Sequence, residues 1–303
     1  MQARLWADVI RLPGGFSLQQ AHELAPTHAL GRVLQPLAVR IFGHEQTRQP
    51  QWLTRKCQRE GVDAALSIVL QSTEGPAGYF LIGRRPNQSN EGFTAGLGVV
   101  PEARQRGFGT ALVRAGIEVA TAAGLDALVL PAPTERVTWY QKHGFHEIRC
   151  THTWLNFASG RAPTRPEYDA PWGGPSPRQL CAWAADIWQR MPSEQRHRYN
   201  LVDTIQANRI GWALCSPEGR AVLCHRLVAS ATGPIEKLLA RLLAGIPTGT
   251  PVLLHEVDQV SSFTEVLKQS GWDPVQTIHT LRRDLKPPLC TERRKSDAET
   301  SPA

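Results

Sequence analysis

Apolar positions in the first half of the chain follow two spacings, one typical of strands and one typical of helices. The runs Ala64–Leu70 and Gly78–Ile82 flank a turn-rich segment and predict a β-hairpin. After Pro101, apolar residues recur at positions 108, 112, 115 and 119, on one face of a helix that Gly124 ends. The other predicted elements are a strand at Leu5–Leu12, helices at Leu18–Leu24 (with Ser17 as N-cap), Gly31–Ile41 and Gln51–Glu60, strands at Phe93–Val100 and Ala127–Leu130, a helix at Thr134–His143 and a strand at Phe145–Leu155. This order predicts an α/β fold, a mixed sheet with a central parallel pair.

The second half of the chain repeats this order, which indicates a tandem arrangement. Its last predicted helix ends at Ser270-Gly271-Trp272, where the first half has His143-Gly144-Phe145. The predicted elements are a helix at Arg178–Gln189, a hairpin of Gly211–Cys215 and Ala221–His225, a helix at Ile235–Leu243, a strand at Val252–Val257, a helix at Phe263–Gln269 and a strand within Pro274–Leu285.

Composition suggests where the 303-residue chain divides. Residues 158–177 are rich in Pro, Gly and Arg and are expected to link a first domain, 1–157, to a second domain, 178–286. Residues 287–303 mix charges with Pro and Ser and are expected to form a disordered tail.

Overall composition is that of a globular protein, with 41% hydrophobic and 20% charged residues. No apolar run approaches the ~20 residues of a membrane-spanning helix, and the N-terminus does not resemble a secretory signal, so we expect a cytoplasmic protein. The six cysteines form no CxxC pair and the histidines match no ligand pattern, so we expect no metal. The net charge of +7 is spread along the chain, so we expect neither a nucleic-acid nor a membrane partner.

The segment from Val99 to Thr110 carries the clearest chemical signal in the sequence. A strand ends near Pro101, and an Arg-x-x-Gly-x-Gly loop leads into a helix. Such a loop turns successive backbone N–H groups toward one point at the positive end of a helix, which suits a pyrophosphate. On the glycines alone, a plain strand-to-helix turn explains the segment equally well.

The spacing Val-x-Pro-x-x-Arg-x-x-Gly-x-Gly, followed by a helix, a strand and Trp139-Tyr140-Gln141-Lys142-His143-Gly144-Phe145, resembles the GNAT acetyltransferases. The resemblance covers about Gly78–Thr153. It implies tandem acyl-CoA N-acyltransferase (GNAT) folds, with an intact acetyl-CoA motif in the first copy. It also implies acetyl-CoA as co-substrate.

The resemblance implies a role for each residue of the motif. A backbone N–H near Val99 would polarise the thioester carbonyl, and Gly96 and Gly98 would form the strand bulge that opens a slot for the pantetheine arm. The residues implied in cofactor binding are Val99, Val100, Arg104, Gln105, Arg106, Gly107, Phe108, Gly109 and Thr110.

Two residues are candidates for proton transfer. Tyr140 matches the tyrosine that, in the family, protonates the departing thiolate; the alternative is a packed core aromatic beside Trp139. Glu91 stands at the mouth of the strand and could act as a base through water, or could be a solvated loop residue. The segment Pro131-Ala132-Pro133-Thr134 departs from the family, many members of which carry an asparagine there.

The second half aligns as a degraded copy. Leu267 stands opposite Tyr140, and the loop position retains one glycine, followed by Pro234 and Glu236, which would remove an amide donor and repel a phosphate. Its expected role is to shape the acceptor pocket or to bury a face of the first domain. The alternative is an unrelated α/β domain.

These observations predict an N-acetyltransferase that moves acetyl from acetyl-CoA to a primary amine by direct attack in the first domain. The acceptor is expected to be a small-molecule or peptide amine, and the protein a monomer or homodimer. The alternative from another class is a non-catalytic acyl-CoA-binding sensor or assembly protein.

Overall fold

The computed structural model describes residues 9–84, 90–161, 167–168, 178–182, 191–202, 209–229, 235–258 and 262–285. The predicted tail, most of the predicted linker and residues 183–189 of a predicted helix lie outside these ranges. None of the helices within these ranges is long and apolar enough to cross a bilayer.

The described residues of the first half form seven strands and four α-helices, in a mixed α/β arrangement as predicted. The strands are β1 (Ile10–Leu12), β2 (Phe16–Gln20), β3 (Ile68–Ser72), β4 (Gly75–Arg84), β5 (Glu91–Val99), β6 (Ala127–Pro133) and β7 (His146–Phe157). The helices are α1 (Thr27–Phe42), α2 (Trp52–Glu60), α3 (Phe108–Ala122) and α4 (Thr134–Gln141). Short 3₁₀ turns lie at Ala21–Glu23, Glu45–Arg48 and Pro101–Ala103.

In the second half, the described strands are β8 (Glu167–Tyr168), β9 (Arg178–Ala182), β10 (His197–Val202), β11 (Arg209–Glu218), β12 (Ala221–Ala229), β13 (Pro251–Asp258) and β14 (Asp273–Asp284). The described helices are α5 (Ile235–Gly245) and α6 (Ser262–Gln269), with a 3₁₀ turn at Ser193–Gln195. The predicted hairpin, helices and strands between residues 209 and 285 are confirmed.

Two predicted helices are wrong. The segment predicted as Leu18–Leu24 forms β2 and a 3₁₀ turn, because β2 pairs with β3 and Leu18 is buried in the core of the first half. The start of the predicted helix Arg178–Gln189 is β9, which pairs with β12. In both cases a free strand edge offers backbone partners to an extended segment, and this outweighs the local helix signal.

All described strands belong to one sheet, in the order β1-β2-β3-β4-β5-β6-β14-β7-β13-β12-β11-β10-β8, with β9 paired to β12. The two halves exchange their final strands: β14 pairs with β6 of the first half, and β7 pairs with β13 of the second. Parallel pairing occurs at β5–β6 and at β12–β13, as the sequence predicts for each copy.

The β7–β14 pair shows that the halves are related by a local two-fold axis. Thr151 pairs with Ile278 at the centre, and the register shifts once on each side of it. The shifts leave Ile148 on β7 and Val275 on β14 without partners, and each is 50% exposed. Equivalent bulges in equivalent places confirm the repeat inferred from the Gly-aromatic endings.

The exchange also connects the two hydrophobic cores. Leu281 of β14 is fully buried in the core of the first half, and Trp154 of β7 is buried in the core of the second. These two residues occupy equivalent places about the two-fold axis. Each half therefore completes its core with a side chain supplied by the other.

Candidate active site

A slot opens between the parallel strands β5 and β6. The two strands pair only from Glu91 to Phe93, opposite Ala127–Val129, and then separate. A register shift on the other side of β5 leaves Ala95 as a bulge between Thr94 and Gly96. A bulge bends a strand away from its neighbour, so it explains the splay that the glycines predicted.

The backbone amide of Val99, at the end of β5, faces this slot. The N–H of Val100 donates to the carbonyl of Ala77 on β4, at 2.9 Å. Successive N–H groups of a strand point to opposite edges, so the N–H of Val99 points into the slot. Val100 itself is buried, and its amide is used to hold the end of β5 on β4.

The loop after β5 turns its backbone amides toward one point. Gln105 and Gly107 both have left-handed backbone conformations, with φ of 60° and 80°. The first helical bond of α3 is donated by Ala111 to the carbonyl of Gly107, at 3.0 Å. The amides of Gly107–Thr110 therefore have no acceptor within the helix and form a nest at its positive end.

The two arginines of the loop have different surroundings. Arg104 donates to the carbonyl oxygens of Val99, at 3.0 Å, and of Ile41, at 2.7 Å, so its side chain ties the end of β5 to the end of α1. Arg106 is exposed, and its guanidinium lies over the rings of Phe16 and Phe108, at 4.9 and 5.1 Å. The side chain of Arg104 is therefore engaged within the fold, whereas that of Arg106 remains at the surface beside the loop.

Phe16 is a member of this site that the sequence reasoning missed. Its ring stacks on Phe108 with centroids 4.4 Å apart. It is the first residue of β2, just before the segment predicted as a helix, and no signal in the sequence pointed to it.

The helix α4 places Tyr140 next to the loop. The ring of Trp139 lies against the α-carbon side of Gly109, 3.5 Å from where a β-carbon would stand. Tyr140 packs edge-on against Trp139, with centroids 4.8 Å apart, and against Phe145, at 5.8 Å. Burial raises the pKa of Tyr140 to about 12, so the phenol stays protonated at neutral pH.

Glu91 is not brought together with these residues. It lies at the closed end of the slot, where β5 and β6 still pair, and β5 has nine residues. At about 3.3 Å per residue this places Glu91 roughly 25 Å from Val99. Its carboxylate is ion-paired with Arg282 of β14, which also holds Asp284 at 2.8 Å. The structure therefore assigns Glu91 a contact between the halves and not a place at the thioester.

The equivalent slot of the second half is filled. β12 pairs with β13 only from Val222 to Cys224 and then continues, from Arg226 to Ala229, against β9. The backbone edge that stays open on β5 is thus covered on β12 by a strand of the same chain. On α6, Leu267 is fully buried where α4 carries Tyr140. The counterpart of the glycine loop, residues 230–234, lies outside the described ranges.

Comparison with known proteins agrees with this geometry. Residues 32–145 match the model of the acetyltransferase (GNAT) family. No curated protein matches significantly. Similar solved structures include a GCN5-related N-acetyltransferase from Sphaerobacter thermophilus, at 15% identity and TM-score 0.55, covering 91% of this chain and 98% of that one. Another, from Anabaena variabilis, has 12% identity and TM-score 0.51, covering 89% of this chain and 73% of that one.

A third similar structure is a tandem GNAT protein from the clavulanic acid biosynthesis pathway, at 15% identity and TM-score 0.51, covering 75% of this chain and 83% of that one. At these identities the structures establish the fold and not the substrate. Residues 32–145 are thus similar to the GNAT acetyltransferase family, and the chain as a whole has the fold of tandem GNAT proteins.

Proposed function

We propose that the first half transfers an acetyl group from acetyl-CoA to a primary amine of a small molecule or peptide. The observation that carries the proposal is the row of amides from Gly107 to Thr110, at the open end of the slot and beside α4. A GNAT domain suggests acyl transfer from an acyl-CoA, and this nest suits the pyrophosphate of that carrier.

The remaining groups divide the chemistry between them. The N–H of Val99 stabilises the carbonyl oxygen of the thioester as negative charge develops on it. The amine nitrogen bonds to the carbonyl carbon, the carbon–sulfur bond breaks, and the sulfur leaves as a thiolate. Tyr140 donates a hydrogen bond or its proton to that thiolate, and the amine loses one proton, so the products are an amide and free CoA. Holding the amine and the thioester in a reactive geometry supplies most of the rate enhancement.

The raised pKa of Tyr140 limits how it acts. A thiol has an ordinary pKa of about 8.5, so full transfer from a phenol with a pKa of about 12 is uphill by roughly 5 kcal/mol. This free-energy cost is larger than the cost for a phenol with an ordinary pKa of about 10. Tyr140 therefore acts as a hydrogen-bond donor to the leaving sulfur and keeps its own proton, and the thiolate is neutralised by the proton that the amine releases.

In this proposal the second half shapes the acceptor side. The tip of the β11–β12 hairpin rests on α2, where Arg59 pairs with Glu218 at 2.5 Å and both side chains are mostly buried. The same tip brings Gly219 against Gln49, ahead of α2. The helices α1 and α2 are expected to line the acceptor pocket, so the hairpin fixes one wall of it.

The four described cysteines that can be assessed, Cys57, Cys150, Cys215 and Cys224, are free thiols. Free thiols suit a reducing compartment, so we place the enzyme in the cytoplasm. The proposal includes a monomer or homodimer as its oligomeric state.

A second candidate is a protein that binds acyl-CoA without chemistry, and it is favoured by the engagement of Glu91 with Arg282. One experiment separates the two: calorimetry with acetyl-CoA, followed by thiol release over a panel of amines. Enzymatic transfer requires both binding and amine-dependent thiol release. Binding with no release over the whole panel supports the sensor, and no binding at all excludes both.

A further inference from the structure

Three potential metal ligands meet on the β7–β14 pair, none of them a residue of the proposed acetyl-CoA site. A carboxylate oxygen of Glu147, the sulfur of Cys150 and a ring nitrogen of His279 all lie within 4.8 Å of one another. Cys150 and His279 are half-buried, and Glu147 is exposed. The first two residues named belong to the first half of the chain, and the third belongs to the second half.

The bulge at Ile148 puts these side chains on one face. Residues paired across two strands share a face, and Cys150 pairs with His279 while Glu147 pairs with Leu281. His279 and Leu281 are two residues apart on β14 and so share that face as well. Without the extra residue, Glu147 would point to the opposite side of the sheet from Cys150.

Hydrogen bonds already orient the histidine. Its Nδ1 lies 2.8 Å from a carboxylate oxygen of Glu147, and its Nε2 lies 3.0 Å from Oγ1 of Thr134 at the start of α4. With Nδ1 turned toward a metal, the Nε2–H would donate to Thr134. A second bond of this kind is how metal-binding histidines are commonly fixed in tautomer and orientation.

The two-fold axis supplies an internal control. The residue equivalent to His279 is His152, which pairs with Thr277 and bonds to its hydroxyl at 3.1 Å. Thr277 stands in the place of Cys150, and Pro274 in the place of Glu147. The equivalent part of the β7–β14 pair therefore forms with the histidine but without the cysteine and the glutamate. The fold itself does not require these two donors.

We propose that Glu147, Cys150 and His279 bind one divalent transition-metal ion, with solvent completing a four-coordinate site. Nitrogen, thiolate and carboxylate donors together suit a borderline ion such as Zn²⁺. Tetrahedral coordination at about 2.0–2.3 Å requires Nδ1 of His279 and the Glu147 carboxylate oxygen, now 2.8 Å apart, to move slightly apart so that the ion lies between the three donors. The ion would join β7 to β14, the two strands that the halves exchange.

The test uses the full chain after treatment with a chelator. Zn²⁺ is titrated calorimetrically, and Co²⁺ is titrated while the near-ultraviolet absorption is recorded, since a thiolate ligand gives Co²⁺ a charge-transfer band there. The variants are Cys150→Ser and Glu147→Gln, which keep shape, and His152→Ala as the two-fold-related control. Chelator-treated variants are first compared in their unfolding midpoints.

We expect one Zn²⁺ per chain in the wild-type protein and in His152→Ala. Cys150→Ser should lose the Co²⁺ charge-transfer band and bind Zn²⁺ at least tenfold more weakly, and Glu147→Gln should weaken it several-fold. Zn²⁺ should raise the unfolding midpoint of the wild-type protein more than that of Cys150→Ser. The proposal is overturned by the absence of saturable uptake, or by uptake that Cys150→Ser leaves unchanged. Acetyl-CoA binding by the same samples is independent of either outcome.

Discussion

The two slots of the sheet differ in what occupies their open edge. On β5, the backbone beyond Phe93 faces an open slot, and the nest at Gly107–Thr110 stands at its mouth. On β12, the corresponding edge is taken by β9. The two halves share the same backbone conformation beside these slots: Gly144 follows α4 and Gly271 follows α6, and both are left-handed, with φ of 79° and 73°. The fold can therefore be kept while the binding edge is closed by the chain itself.

The largest expected effect comes from placing an acidic residue in the glycine loop of the first half, since the second half carries Glu236 just after its own loop. Gly107→Glu adds a negative charge at the nest and a side chain at a left-handed position, so we expect acetyl-CoA affinity to fall at least 100-fold by calorimetry. No residual binding should remain, because β9 covers the other slot. Gly124→Glu is the matched control: it has φ of 76° and open space, at the far end of the same helix. If both variants lose affinity equally, backbone strain and not the nest explains the result.

Tyr140 is the next point at which the halves differ. Tyr140→Phe should lower kcat about 10- to 100-fold and leave acetyl-CoA affinity within about twofold, because only the proton donor is lost. Tyr140→Leu installs the residue that α6 carries at Leu267 and should behave in the same way, with a lower unfolding midpoint. Steady-state kinetics on an accepted amine, beside calorimetry, measure both quantities. An equal loss of kcat and affinity would assign Tyr140 a packing role instead.

The second half should lose stability in acid. The pKa of His255 is lowered to about 4, mainly by burial and to a lesser extent by the positive charges of Arg59 and Lys56. The pKa of His225 is lowered well below its ordinary value, again mainly by burial and then by the charges of Arg59 and His255. A depressed histidine pKa means that the unfolded state takes up protons first as the pH falls below about 6.5. His255 alone should then cost about 2 kcal/mol of unfolding free energy by pH 5. Denaturant unfolding between pH 7.5 and 5 measures the slope.

His255→Asn keeps a polar atom near Thr153, whose hydroxyl lies 3.0 Å from Nδ1 of His255. This variant should flatten the pH dependence between pH 6.5 and 5. An unchanged slope would show that His255 is not the group responsible.

The smallest effects separate the two loop arginines. Arg104→Gln should lower the unfolding free energy by about 2 kcal/mol, because two backbone carbonyls lose a charged donor. Arg106→Gln should leave stability nearly unchanged, weaken acetyl-CoA binding several-fold and reduce its dependence on salt. Calorimetry at two ionic strengths and denaturant unfolding distinguish the two variants. The reverse assignment of effects would place Arg104, and not Arg106, at the phosphates.

Features set by neighbouring residues could be predicted from the sequence. The hairpin at β3–β4, the helix after Pro101 and the glycine loop each depend on a short run of residues. The repeat could also be predicted, because α4 and α6 are each followed by a glycine and an aromatic residue, and both glycines have a left-handed backbone. Phe145–Leu155 was correctly predicted as a strand, but nothing local to it indicates which sheet partner it takes. Its pairing with β13 arises from the whole fold.

The features that the sequence did not reveal depend on distant partners. Leu18 lies in a strand because β3 is available to pair with it. Glu91 meets Arg282, which is 191 positions away in the sequence. The side chain of Arg104 turns back to Ile41 at the end of α1, which its motif does not reveal. In each case the local pattern was compatible with several neighbours, and tertiary packing selected one.

The exchange of final strands has a consequence for how the protein is made. The edge of β6 is covered by β14, the last strand of the described chain to leave the ribosome. Until then the first half has an unpaired edge on β6 and lacks Leu281 in its core. A nascent chain halted before residue 273 should therefore stay protease-sensitive in its first half, although every residue of the glycine loop has already been synthesised.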